Sequence, residues 1–348
     1  MTQAQIDRTM AESIVRRSLA EIKRDPRRAL RKLIDIGQET AGGHLQQEFM
    51  AMAQRLLQKD SSPYYTLIRN TVEQVDGERL MTFGMNLGWN SLTQGAKQIR
   101  ANEAQRGFNI PWSLTLHMAQ TPGSLRGKDY FRLVCEGVAL GVYSYFLLPE
   151  DEPSVRCALG LIDACQGCAF CLLLPPSCDA ETMLAASPAG KNAIVGIDSA
   201  APGWARQADW LRAQGYPYLI FRTYATQADV EEIVSGRWAQ QILPHAGVAA
   251  VTLARWGADA LDDTQVYAYA LGARMGQRYP TLMLDFYHDS LYTDVCISGD
   301  PCFLGVLPGG QVTEYQGGRE VPVQASAREQ PLDELLRRFP KTPRGSRG

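Results

Sequence analysis

The chain has 348 residues, enough for two ordinary domains or one barrel with an appendage, and 45% of them are hydrophobic, which suffices for a sizeable core. A formal charge of −2 removes the general attraction that binding to nucleic acid or an anionic membrane requires. The opening segment, MTQAQIDRTMAESIVRRSLAEI, lacks the apolar core of a secretory signal, and no uncharged apolar stretch is long enough to span a bilayer, so a cytoplasmic location is expected.

Through about residue 110 the pattern is helical, with no convincing strand. Asp25-Pro26 ahead of RRALRKLIDIG supplies an N-cap, a proline for the first helical position and, at Gly37, an expected stop. Ser62-Pro63 repeats the device before YYTLIRNTVEQV. The basic run Lys23, Arg24, Arg27, Arg28, Arg31 and Lys32 reads as a solvated helix face.

From residue 113 the rhythm changes. Apolar runs that read as buried strands begin near Ser113, Tyr143, Cys168, Asn192, Pro217, Val248 and Thr281, about 24 to 33 residues apart, the length of a strand, a helix and two short loops. Between the first two, Phe131, Val134, Cys135 and Val138 fall at helical spacing, and Gly141 stands where a helix end wants a left-handed residue. Ala205, Ala208 and Leu211 do the same ahead of Gly215. Strands apolar throughout, alternating with amphipathic helices, imply an α/β fold: a full or partial TIM-type (β/α) barrel of parallel strands.

After Tyr287 the pattern ends. CFLGVLPGGQVTEY reads as a hairpin turning at Pro308-Gly309-Gly310, and a last helix near Leu332 to Phe339 leads into the polar tail KTPRGSRG. The expected organisation is therefore a helical region over 1–110, a barrel over 111–290 and an extension over 291–348.

In a parallel barrel the chemistry sits at the C-terminal ends of the strands. Those positions are His117; Glu150, Asp151 and Glu152; Pro175 to Ser177; Asp198; Arg222; Arg255; and Asp285, Tyr287 and His288. Such a rim could hold a zwitterionic or carboxylate-bearing small molecule, with Glu152, Asp198, Arg222, Asp285, His288 and His117 as its ligand-binding candidates; ordinary salt bridges closing the barrel are the alternative. No phosphate loop, nucleophile elbow or His-Glu-x-x-His occurs, and of the four histidines, His44, His117, His245 and His288, only His117 and His288 stand where a barrel enzyme would use them.

Eight cysteines in a reducing compartment read as core thiols, metal ligands or redox groups rather than disulfides. The densest group, CQGCAFC over residues 165–171, has the spacing of cluster ligands. Its position opposes that use, because Cys165 and Cys168 fall at the entry to the third strand, on the barrel's N-terminal face. Cys171 lies within the strand, where alternation directs it away from Cys168.

Four blocks in order, TFGMNLGWNSLTQGAKQIR, GFNIPWSLTLHM, GVYSYFLLPEDEP and LDFYHDSLYTDVCISG, carry a resemblance over about residues 60 to 315. The chain resembles bacterial radical S-adenosylmethionine (SAM) enzymes with a helical N-terminal extension and a cysteine-bearing C-terminal region. The resemblance implies the same barrel, and a loop after the first strand with three cysteines spaced C-x3-C-x2-C to hold a [4Fe–4S] cluster whose open iron binds SAM. The corresponding stretch here, HMAQTPGSLRGKDYF, is shortened and has no cysteine. The family's Gly-Gly-Glu-Pro after the second strand is Glu150-Asp151-Glu152-Pro153, so two carboxylates stand where glycines let backbone approach the methionyl group. Leu174 to Ser177 replace Thr-Asn-Gly-Thr, Asp198 stands near a family Glu, Cys296 matches a cysteine of the C-terminal region, and Tyr315 takes the place of another.

Three readings follow. The first is a pseudoenzyme of radical SAM type without its cofactor, acting as partner or regulatory subunit of a catalytically complete relative, or as a small-molecule binding module, with no catalytic residue and no metal. The second is an iron–sulfur protein, with SAM, whose ligands have moved to Cys165, Cys168 and Cys171, with Cys157 or Cys178 as a candidate further ligand. The third is a metal-free barrel lyase or hydrolase using Glu152, Asp198, Asp285 or His288 as acid and base.

Overall fold

All seven apolar runs form strands of one sheet, in the order in which the sequence presents them. The computed structural model describes residues 3–40, 44–255 and 263–342; residues 343–348 of the polar tail lie outside them. The strands are β1 (Ser113–Met118), β2 (Ser144–Pro149), β3 (Ala169–Leu174), β4 (Ala193–Asp198), β5 (Tyr218–Tyr224), β6 (Ala249–Ala254) and β7 (Leu282–Asp285), each paired in parallel with the next. Three more strands, β8 (Gly305–Val306), β9 (Gln311–Gln316) and β10 (Arg319–Ser326), extend the sheet beyond β1, giving the order β10-β9-β8-β1-β2-β3-β4-β5-β6-β7. The result is a mostly parallel half-barrel, the partial (β/α) barrel that the periodicity implies.

The helices on its outer surface explain why the strands are apolar throughout. α7 (Gly127–Leu140), α8 (Glu152–Ala164), α9 (Ala180–Ala186), α10 (Trp204–Ala213), α11 (Gln227–Val234), α12 (Arg237–Ile242) and α13 (Asp263–Met275) occupy the crossovers. Leu116, Leu147, Leu172 and Val195, register neighbours on β1 to β4, are all 0% exposed. Burying each such side chain contributes about 1.5–3 kcal/mol.

In α7 the buried side is Tyr130, Leu133, Val134, Gly137 and Leu140, whereas Phe131 is 44% exposed and Cys135 is also exposed. The expected stripe through Phe131 and Cys135 is therefore rotated. A helix with apolar residues on two adjoining rows does not declare from spacing which row faces the sheet. Gly141 closes α7 with φ 106°, as its position implies.

The N-terminal region is helical: α1 (Gln3–Arg24), α2 (Pro26–Thr40), α3 (His44–Leu56), α4 (Pro63–Gln74), α5 (Gly77–Met85), a π-helical segment Asn86–Gly95 and α6 (Ala96–Arg106). Asp25 caps α2 through the Arg28 N–H at 3.1 Å, and Ser62 accepts from the Tyr64 N–H at 3.4 Å. Gly37 does not stop α2. A Cβ there would lie 2.6 Å from Met50 Sδ, so the glycine is a notch against which α3 packs, worth its ~1 kcal/mol cost in helix propensity.

These helices seal the N-terminal end of the barrel. Asn102 Nδ2 bonds Leu140 O at 3.1 Å, Arg79 Nη1 bonds Ala189 O at 2.9 Å and Tyr64 OH bonds Arg274 O at 2.8 Å. The Asp76 N–H donates to Gly215 O at 2.9 Å. Each acceptor lies in or near a segment that leads into a strand.

At the other end, the chain leaves β7 through α14 (Phe286–Ser298) and returns as the expected hairpin. Gly305 pairs with Thr313 and Val306 with Val312, Gly310 turns at φ 92°, and β8 docks in parallel on β1. Strand β10 goes unmarked by the sequence reading, since Pro322 interrupts it and its register shifts between Pro322 and Ser326. The helix expected near Leu332 is α15 (Leu332–Leu336).

Candidate functional site

The two edges of the half-barrel, β10 and β7, are joined by side chains rather than by a ladder, and this seam gathers most of the polar chemistry. On one side His117, at the end of β1, places Nε2 3.1 Å from both carboxylate oxygens of Glu320 on β10. Tyr287 OH donates to Glu320 at 2.9 Å, and Thr313 OH also donates to it. Gly305 makes room for this carboxylate, since a Cβ there would meet Glu320 and Thr313. Glu320 is 3% exposed. Burial alone would raise its pKa, but the His117 charge and the bonds from His117, Thr313 and Tyr287 hold it below the usual range.

Tyr287 continues the seam by stacking on Tyr315, with ring centroids 4.4 Å apart, and Tyr315 OH donates to Asp263 at the start of α13. Asp263 lies 3.6 Å from His288 Nε2, while His288 Nδ1 is 2.8 Å from Asp285 Oδ1. Asp285 ends β7, caps α14 through the His288 N–H at 3.1 Å and accepts from Thr252 OH at 2.9 Å. The His288 ring stacks on Tyr267 at 4.5 Å. Burial depresses its pKa, yet the bond to Asp285 and the charges of Asp285, Asp263 and Asp289 outweigh this and raise it. Burial, with the neighbouring carboxylates, drives the Tyr287, Tyr315 and Tyr224 phenols upward, so they act as donors and not as bases.

Of the six candidates from the sequence, the structure thus ties His117, Asp285 and His288 into one network. Asp198, 5% exposed at the end of β4, accepts from the Ala200 N–H at 2.8 Å. Burial raises its pKa against that bond and the charges of Arg222 and Arg255. Arg222 itself turns to α11, bonding Asp229 at 3.2 Å and Glu232 at 2.8 Å. Glu152 opens α8 on the surface, paired with Arg156 at 2.6 Å, its side chain 55% exposed. Its neighbour Asp151 is the N-cap of α8 and accepts from the Ser154 N–H at 2.8 Å.

Sequence reasoning missed Glu320, Thr313, Tyr315, Asp263 and Thr252. Glu320 sits in an irregular strand and Asp263 at the head of a helix, and neither position carries a spacing signal. Only the closure of the barrel makes them neighbours.

The cysteine-rich turn has a different role. Asn86 Nδ2 donates to Gln166 O at 2.8 Å and Cys168 O at 2.9 Å, Asn90 Nδ2 to Gly167 O at 2.8 Å, and Asn192 Nδ2 to Ile162 O at 3.1 Å, Cys165 O at 3.1 Å and Cys168 O at 3.2 Å. Three asparagines thereby satisfy the carbonyls of a turn held between the N-terminal helices and β3. Burial pushes the Cys165 thiol up to about 11 and those of Cys168 and Cys171 up to about 12, so at neutral pH they rest as protonated thiols.

The residues present do not fit a radical SAM cluster. After β1, residues 119–126 have no thiol to offer; Leu125 is 0% exposed and its N–H donates to Pro308 O in the hairpin turn at 2.6 Å, while Thr121 and Ser124 bond through their hydroxyls at 2.8 Å. The loop is anchored through buried Ser124 and Leu125, while Thr121, Pro122, Gly123 and Arg126 are exposed. Among the described residues no group of three or more His, Cys, Asp or Glu side chains is placed to hold a metal ion, and no helix is long and apolar enough to cross a membrane.

No protein-family model matches the sequence, and no curated protein does. Among solved structures, the chain is similar to Streptococcus suis SuiB bound to S-adenosylmethionine, at 12% identity and a TM-score of 0.48 over 70% of this chain and 68% of that one. It is likewise similar to SuiB bound to precursor peptide SuiA, at 10% identity and a TM-score of 0.49 over 70% and 69%. Likeness at this level decides nothing about activity or ligand.

Proposed function

We propose that this chain is a non-catalytic barrel of radical SAM type, working as a partner or regulatory subunit of a catalytically complete relative. The observation that carries the reading is the loop after β1. Where the family resemblance puts three cluster ligands, this chain has a cysteine-free segment, with Leu125 buried beneath the hairpin turn at Pro308. The carboxylates and cations of the mouth support it, since they are engaged within the fold: Glu320 with His117, Thr313 and Tyr287, Asp285 with Thr252 and His288, and Arg222 with Asp229 and Glu232. Anaerobic purification with iron and sulfide supplied should yield a colourless protein. A stoichiometric [4Fe–4S] absorption spectrum overturns the proposal, and replacing Cys165, Cys168 and Cys171 by serine then tells whether relocated ligands hold the cluster.

A second reading rests on the His288–Asp285 pair, whose imidazole is 22% exposed at the end of β7. A partly exposed histidine oriented by a buried carboxylate is equipped for acid–base work on a small molecule without metal. Asp285→Ala separates the two: a subunit keeps its partner in co-purification, whereas an enzyme loses turnover.

A further inference from the structure

Two hollows adjoin on the outer face of the N-terminal helices. One, of about 240 Å³, lies between α1 and α2 with Met10, Ile14 and Ile36 in its walls; the other, of about 580 Å³, is walled by Arg27, Arg28 and Arg31. Lys32 lines both, which sets an apolar hollow beside a cationic one. Even the smaller exceeds the ~150 Å³ cavity that accepts a benzene ring.

Met10 is 60% exposed and Ile14 37%, unusual for large aliphatic side chains beside a concavity. Between Arg16 and Lys32 stand eight basic side chains against two acidic ones, in a chain whose net charge is −2. Arg16, Arg31 and Lys32 have carboxylate partners in Glu78, Asp60 and Glu21. Among the described residues, none pairs with the side chains of Arg17, Lys23, Arg24 or Arg28, all of which are exposed. Of these, Arg17 lines the apolar hollow and Arg28 the cationic one, and Arg24 follows Glu21, a residue of the apolar hollow, by three positions on the same face of α1.

We propose that the α1–α2 groove docks an acidic amphipathic helix of a protein partner. Aliphatic side chains at i, i+3 and i+4 would enter over Met10 and Ile14, and flanking carboxylates would meet Arg17, Arg24 and Arg28. Nucleic acid fits less well, because Asp25, Asp35 and Asp60 stand among the cations and the walls offer no aromatic ring for base stacking. An anionic bilayer fits less well too, since the exposed apolar surface here is small and lacks the Trp, Phe or Leu anchors of an interfacial helix. The proposal stands whether or not the barrel is catalytic.

The test is fluorescence anisotropy with the full chain and a labelled synthetic peptide of about 18 residues, leucines at helical spacing and glutamates elsewhere. The comparison peptide has the same composition with its leucines scattered. The patterned peptide should bind at least about tenfold tighter than the scattered one. Ile14→Asp, and separately the pair Arg24→Glu with Arg28→Glu, should each weaken it about tenfold or more while circular dichroism stays unchanged, these side chains being exposed. Equal binding of the two peptides, no effect of Ile14→Asp, no binding at all, or tighter binding of duplex DNA or phosphatidylserine vesicles overturns the proposal.

Discussion

Deleting the Glu320 carboxylate tests whether the seam, and not the ladder, holds the barrel edges together. In Glu320→Ala three buried donors, His117 Nε2, Tyr287 OH and Thr313 OH, lose their acceptor together. An unsatisfied buried donor costs about 1–3 kcal/mol, and removing one partner of a buried ionic pair about 3–5 kcal/mol after relaxation. We expect a loss of about 3–5 kcal/mol, read as a fall in Tm of roughly 4–7 °C for a chain of 348 residues. Glu320→Gln keeps the volume and one acceptor oxygen and should lose about half as much. The folded-state pKa of Glu320 is depressed below 4.5, so its contribution is complete above that pH and is lost as acid carries the solution through the lowered value. Urea titrations of wild type and Glu320→Gln at neutral and acid pH measure the gap, with exposed Glu329→Ala as control. A gap under about 0.5 kcal/mol at neutral pH, or one that does not narrow in acid, refutes the reasoning.

Gly305→Ala forces a methyl group against Glu320 and Thr313 and should cost about 1–3 kcal/mol, a cost that a double variant with Glu320→Ala partly relieves; a double-mutant cycle measures the coupling. Asn86→Ala strips the side-chain donor from Gln166 O and one of two from Cys168 O, which keeps Asn192, so a loss of about 1–3 kcal/mol and faster amide exchange in residues 165–168 are expected in hydrogen-exchange mass spectrometry. Because the pKa of His288 is raised above 6.5, its pairing stabilises fully below that pH and fades as pH rises through the raised value; urea midpoints across this range should slope in wild type and flatten in His288→Gln. Ellman's reagent should find one fast thiol in the native protein, Cys135 on the outer row of α7, and Cys135→Ser should remove that phase.

The sequence by itself determined the order and nature of the barrel elements. A parallel strand covered on both faces must be apolar throughout, so SLTLHM or NAIVGID declares itself without knowledge of its neighbours. Helix boundaries with local chemistry were equally legible: Ser62-Pro63 caps α4, and Gly141 ends α7 in a left-handed turn, because the groups satisfied there are within a few residues. Where local chemistry was ambiguous, as at Gly37 and along Phe131 and Cys135, packing against another element decided.

The candidate site divides along the same line. Strand ends could be enumerated from the sequence, and three of the six candidates do meet in one network. Yet the group that joins His117 to Tyr287 is Glu320, 203 residues from His117, and the partner of His288 beyond Asp285 is Asp263. Periodicity reports which face a residue occupies and is silent about what crosses a gap between sheet edges. That was decided by β8 docking on β1, which carries β9 and β10 across to the β7 side and brings three buried donors onto one carboxylate.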